Sequence, residues 1–148
     1  MPKIYLYFLV FSFSLVGCQK KEVSEEAITA EEEQVQILRK EVMHLHNQTM
    51  EKIEPLIGLK SRLKEKGTAL RDNPDKVDEV IVVEMLVQSL DKAQTSMREW
   101  MQRYNAHKIN DDHVKELEFL ELEKKNILAV EAQMKTAMDA AEGALAAE

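Results

Sequence analysis

Residues 83–104 read VEMLVQSLDKAQTSMREWMQRY, and the spacing of their apolar side chains decides the fold. Val83, Leu86, Leu90, Ala93, Met97, Trp100 and Tyr104 alternate at three and four residues. That is the seam of a helix packed on other helices over about three heptads. Upstream, Asp72-Asn73-Pro74-Asp75 places a capping side chain ahead of proline at the first helical position, a start signal. Asn105-Ala106 marks the end.

The same reading extends to both sides. Thr29-Ala30-Glu31-Glu32 has the form of a capping box, and Val35, Leu38, Val42, Leu45, Ile53, Leu56, Ile57 and Leu63 follow at helical spacing. Gly67, just after Lys64-Glu65-Lys66, predicts the stop. Pro55 interrupts this segment and lacks the N–H that a helix interior uses. With Gly58 nearby, a kink is expected near Ile53–Pro55. Downstream, Asn110-Asp111-Asp112 opens a third helix carrying Val114, Leu117, Leu120, Ile127, Val130, Met134, Met138, Ala141 and Leu145. Lys124 falls within that stripe and predicts a wetter stretch. The expected fold is all-α: an up-down-up antiparallel three-helix bundle with coiled-coil-like packing over about 29–67, 74–105 and 111–146, its first helix kinked near Pro55. A helix of about 30 residues is about 45 Å long, so the object is a rod. Its thin core predicts leftover apolar surface for self-association or docking.

The chain opens with the order of a secretory signal: Lys3, an apolar run from Ile4 to Val16, then Gly17. That run falls short of the roughly 20 residues of a permanent membrane span. Leu15-Val16-Gly17-Cys18 resembles the bacterial lipobox. The resemblance implies that residues 1–17 are a lipoprotein signal peptide, and that Cys18 receives a diacylglyceryl group, is freed by cleavage and is usually acylated at its new amino terminus. Two or three acyl chains anchor stably where one is marginal. Cys18 is the only cysteine, and lipidation accounts for a thiol that would otherwise need a partner. Residues 18–28 then read as the lipidated cysteine and a charged, flexible tether. No Asp follows Cys18, which by analogy with Gram-negative sorting favours the outer membrane.

Without residues 1–17 the chain has 131 residues, enough for one domain, with 19 basic side chains against 27 acidic, a net charge of −8. Nucleic-acid binding relies on clustered Lys and Arg, so no nucleic-acid partner is expected. Four glycines and three prolines in the full chain, beside abundant Glu, Lys, Leu, Ala and Met, favour long helices.

No glycine-rich phosphate loop, Cys-x-x-Cys pair or Ser/His/Asp order is present, and the reading is non-enzymatic, with no cofactor. Trp100 and Tyr104, at the end of the seam, are the candidate partner anchors. The alternative is periplasmic copper or haem binding. Met43, His46 and Met50 lie at i, i+3 and i+7 on one side of a helix, and Met97 and Met101 lie one turn apart on the next. Thioethers with an imidazole suit Cu(I), and Met with His holds haem iron, although methionines at helical spacing also fill cores. His107, Asp111, Asp112 and His113 offer a surface cation site, with helix capping as the simpler use of the acids.

Glu41-Val42-Met43, His46, Met50, Leu59, Leu63, Met97 and Trp100-Met101 together resemble small Bacteroidota lipoproteins often labelled "viral A-type inclusion protein". The likeness spans most of the chain after Cys18, and departs at Asn47, where an acid is expected, and at Pro55. It implies a helical, envelope-located protein and transfers no activity. The expected function is a membrane-anchored cell-envelope lipoprotein, periplasmic or surface-facing, whose helical rod docks an envelope protein or self-associates.

Overall fold

The computed structural model describes residues 25–147, with side chains from Ala30 onward. The signal, the lipobox, Cys18, most of the tether and the Thr29 side chain lie outside the described residues. Helix α1 spans Glu25–Met50, α2 Ile53–Arg71, α3 Val77–Ala106 and α4 His113–Ala146. Among the described residues the fold is all-helical, with three arms packed on one another and the first arm bent by 28°. No helix among them is long and apolar enough to cross a membrane.

The first arm is α1 and α2 end to end. The junction is Glu51–Lys52, and two side chains account for it. Pro55 stands in the first turn of α2, where a missing N–H costs nothing, but in a helix continued straight from α1 a proline ring there would clash with the carbonyl of Glu51 four residues back. On the other side, buried Thr49 donates its hydroxyl to the Leu45 carbonyl at 2.8 Å, a bond that bends helices. The backbone tightens here, with Lys52 N–H donating to the Thr49 carbonyl at 3.1 Å.

Ion pairs fix the directions of the arms. Arg39 meets Glu116, Glu41 meets Lys124 and Lys52 meets Glu131, so the first arm runs parallel to α4. Lys60 with Asp91 and Arg71 with Glu84 set α2 antiparallel to α3, and Arg103 with Glu123 followed by His107 with Glu116 set α3 antiparallel to α4. In its upper half, α2 packs on both α3 and α4; in its lower half, α1 packs chiefly on α4.

The α3 seam is present as read: Val83, Leu90, Ala93, Met97 and Trp100 are buried, with Leu86 and Tyr104 packed against them. Its start is also as read. Asn73 Oδ1 accepts from Asp75 N–H, and Pro74–Lys76 forms a short 3-10 turn leading into the helix.

Elsewhere the positions differ. Helix α1 already begins at Glu25, so Thr29 lies inside it and four residues expected in the tether are helical. Gly67 is not a stop but a buried interior residue of α2, which continues to Arg71. A Cβ at Gly67 would stand 3.1 Å from Val83 Cγ1, so the close approach of α2 to α3 favours glycine there. Helix α4 starts at His113, capped by Asp112 accepting from Lys115 N–H.

The stripe of α4 differs in the most informative way. Its buried positions are 116, 120, 123, 127, 130, 134, 137 and 141, an unbroken alternation of four and three that includes Glu116 and Glu123. Val114 is exposed, and Lys124 lies beside the stripe, paired with Glu41 at 3.0 Å.

Candidate functional site

The lower half of the bundle holds the only buried charged side chains among the described residues, Glu116 and Glu123. Local structure puts Glu116 there. Asp112 ends the α3–α4 turn as N-cap, and Glu116, in the first turn of α4, folds its carboxylate back over that turn. Oε1 accepts from Arg39 Nη2 at 2.8 Å; Oε2 accepts from His107 Nε2 at 2.8 Å and Asn110 N–H at 2.9 Å. One carboxylate therefore ties α1, the end of α3 and the connecting turn. Burial pushes its pKa up, but the hydrogen bonds from His107 and Asn110, with the charges of His107 and Arg39, outweigh this and hold it below the ordinary value.

Glu123 lies two turns further along α4. Oε1 accepts from Arg103 Nε at 3.2 Å and Asn126 Nδ2 at 3.0 Å, whereas Oε2 is buried with no hydrogen-bond partner. Its backbone carbonyl accepts from the indole N–H of Trp100 at 3.3 Å.

Between the two carboxylates runs a ladder of rings. His46 stacks on Trp100 at 5.5 Å between centroids, Trp100 on Tyr104 at 5.0 Å, Tyr104 meets Phe119 at 5.9 Å, and Phe119 lies on His107 at 3.4 Å. Burial raises the Tyr104 pKa, Arg39 opposes the rise, and Glu116 and Glu123 add to it. Trp100 and Tyr104 thus stack on each other: Trp100 is only 1% exposed and is not offered outward, whereas Tyr104 is half-buried at the edge of the core.

The methionine–histidine set is divided by the fold. Met97 is sealed in the core and Met101 packs at its edge, whereas Met43 and Met50 are exposed on α1 and His46 is half-buried between them. Met43 and Met50, exposed on α1, do not join Met97 in the core. His107 is committed to Glu116 and Asp112 to its cap, so these two residues do structural work there. Among the described residues no three His, Cys, Asp or Glu side chains gather to hold a metal ion.

Glu116, Glu123 and Arg39 were not apparent as site residues from their chemistry. The signal that finds the two glutamates is register: running the alternation of Ile127, Val130, Met134 and Ala141 backwards lands on positions 123 and 116. Comparison with family models, with curated proteins and with solved structures finds no match to this chain.

Proposed function

We propose that this chain is a lipid-anchored cell-envelope protein whose helical rod is a non-enzymatic interaction or structural module. The anchoring half of the reading rests on Leu15-Val16-Gly17-Cys18 and on Cys18 being the sole cysteine. The absence of Asp after Cys18 favours the outer membrane. Only six residues separate Cys18 from Glu25, where the described part of α1 begins, so an acylated Cys18 would hold the lower end of the rod close to the bilayer. The rod itself is read as a kinked, up-down-up bundle with coiled-coil-like seams.

One observation carries the interaction half. Val77, Ile81 and Met85 follow at i, i+4 and i+8 along one side of α3, with Val82 beside them, and all four are between 49% and 64% exposed. Contiguous exposed apolar side chains mark interaction sites. They sit where α2 passes into α3, at the end of the rod away from residue 25. The partner is an envelope protein or a second copy of the chain.

A photo-crosslinking residue at Met85 in growing cells, with one at exposed Glu99 as control, tests the docking half. A product specific to position 85 and lost in Val82→Lys supports it, and equal labelling at both positions refutes it. Metabolic incorporation of palmitate that persists in Cys18→Ala would refute the anchor.

A further inference from the structure

We propose that Met43, His46 and Met50 form a binding site for a soft monovalent cation, Cu(I) or Ag(I), on the side of α1 next to Trp100. The donors come from one helix. At about 1.5 Å rise per residue, His46 lies about 4.5 Å beyond Met43 and about 6 Å before Met50, all within a narrow arc of the helix surface. Two thioethers, each on a chain with three rotatable bonds, close those gaps onto an ion held by the imidazole between them.

The tautomer of the imidazole suits this. His46 Nδ1 lies 3.0 Å from Asn47 Oδ1. An amide oxygen only accepts, so Nδ1 carries the proton and Nε2 presents its lone pair. That is the arrangement of a metal-binding histidine, whose second nitrogen donates to an oxygen that fixes the tautomer and raises ligand basicity. Nε2 itself makes no hydrogen bond among the described residues. Stacking on Trp100, with 26° between the planes, holds the ring on its other axis.

The thioethers are where packing does not need them. Met97 and Met134 fill the core, but Met43 and Met50 are 37% and 36% exposed on either side of His46. Two neutral sulfur donors and one nitrogen, with no carboxylate in the set, select Cu(I) or Ag(I) over Zn²⁺, Mg²⁺ or Ca²⁺.

The experiment uses the full chain in detergent carrying Cys18→Ala, so that no thiol competes for the ion. Ag(I) is titrated in while the ε-methyl carbons of methionine are followed by NMR and the emission of Trp100, the only tryptophan, is recorded. One equivalent is expected to shift the Met43 and Met50 signals, leave Met97 and Met134 in place and quench Trp100, with Zn²⁺ doing none of these. Met43→Leu with Met50→Leu keeps side-chain size at exposed positions and so keeps the fold, verified by circular dichroism. It is expected to weaken Ag(I) by at least the roughly 10–100-fold that disturbing a ligand's outer partners costs. Silence of both methyl signals, a response confined to other methionines, or unchanged affinity in the folded double variant would overturn the site.

Discussion

Glu116 Oε2 accepts from His107 Nε2 at 2.8 Å, so a carboxylate in the first turn of α4 holds the residue that ends α3. Its other oxygen holds Arg39 on α1, and among the described residues this pairing is the one place where the lower half of the first arm is fastened by a buried charge. The consequences for stability are specific.

The first concerns pH. The Glu116 pKa is depressed in the folded chain, so its contribution to stability is complete above the unfolded carboxylate value. It is lost as pH falls through the lower, folded value. Thermal unfolding from pH 7 down to pH 3 is expected to show Glu116→Gln less stable than the parent by about 1–3 kcal/mol at neutral pH, the cost of mispairing buried donors. The gap should close in acid. A gap that stays constant to pH 3 would show that the carboxylate charge is not what matters.

A double-mutant cycle separates Arg39 from the other donors to Glu116. Arg39→Met with Glu116→Gln is expected to give a coupling of about 1 kcal/mol, modest because Arg39 keeps a quarter of its side chain in water. The exposed i, i+4 pair Lys135–Asp139 should couple measurably less by the same cycle. Equal couplings would remove any special role for the buried carboxylate.

Glu123 behaves in the opposite sense. It occupies a core position with Oε2 unpartnered, and its partner Arg103 is half exposed and needs no counter-ion. Glu123→Met leaves the Trp100 indole bonded to the backbone carbonyl and is expected to stabilise the bundle by about 1–2 kcal/mol, as apolar replacement of buried charge often does. A fall in melting temperature would mean that the orphan oxygen has an essential partner.

The two interior glycines of α2 should respond differently to alanine. Nothing lies within 4 Å of a Cβ at Gly58, so Gly58→Ala is expected to stabilise by about 0.5–1 kcal/mol through helix propensity alone. At Gly67 the new Cβ meets Val83 Cγ1 at 3.1 Å, and the stiff β-branched side chain must give way. Chemical denaturation should show Gly67→Ala gaining clearly less than Gly58→Ala.

These residues also show where the fold was legible. The α3 seam was, because every position in its register is filled by an apolar or aromatic side chain. The helix starts at Asn73–Pro74 and Asp112 were too, since capping is local chemistry. Selecting apolar residues along α4 failed at 116 and 123: burial follows the register of a helix, and a glutamate in register goes inward when Arg39, His107 or Arg103 meets it. Those partners come from other arms, and no local pattern announces them. Gly67 misled for a related reason. Before lysine-rich ends glycine marks a stop, but here it answers a neighbouring helix remote in sequence. Trp100 and Tyr104 were correctly placed on the seam, and it was the depth of the seam that spacing alone did not supply.

The junction at Glu51–Lys52 divides the rod into parts that open separately. Above it, α2, α3 and α4 each touch both of the others; below it, α1 relies chiefly on α4. Amide hydrogens of α1 should therefore exchange with solvent through a partial unfolding that leaves the upper three helices closed, at a lower free energy than global unfolding. The chain is thus two cooperative units on one continuous backbone, and the weaker unit is the one adjoining the N-terminal segment.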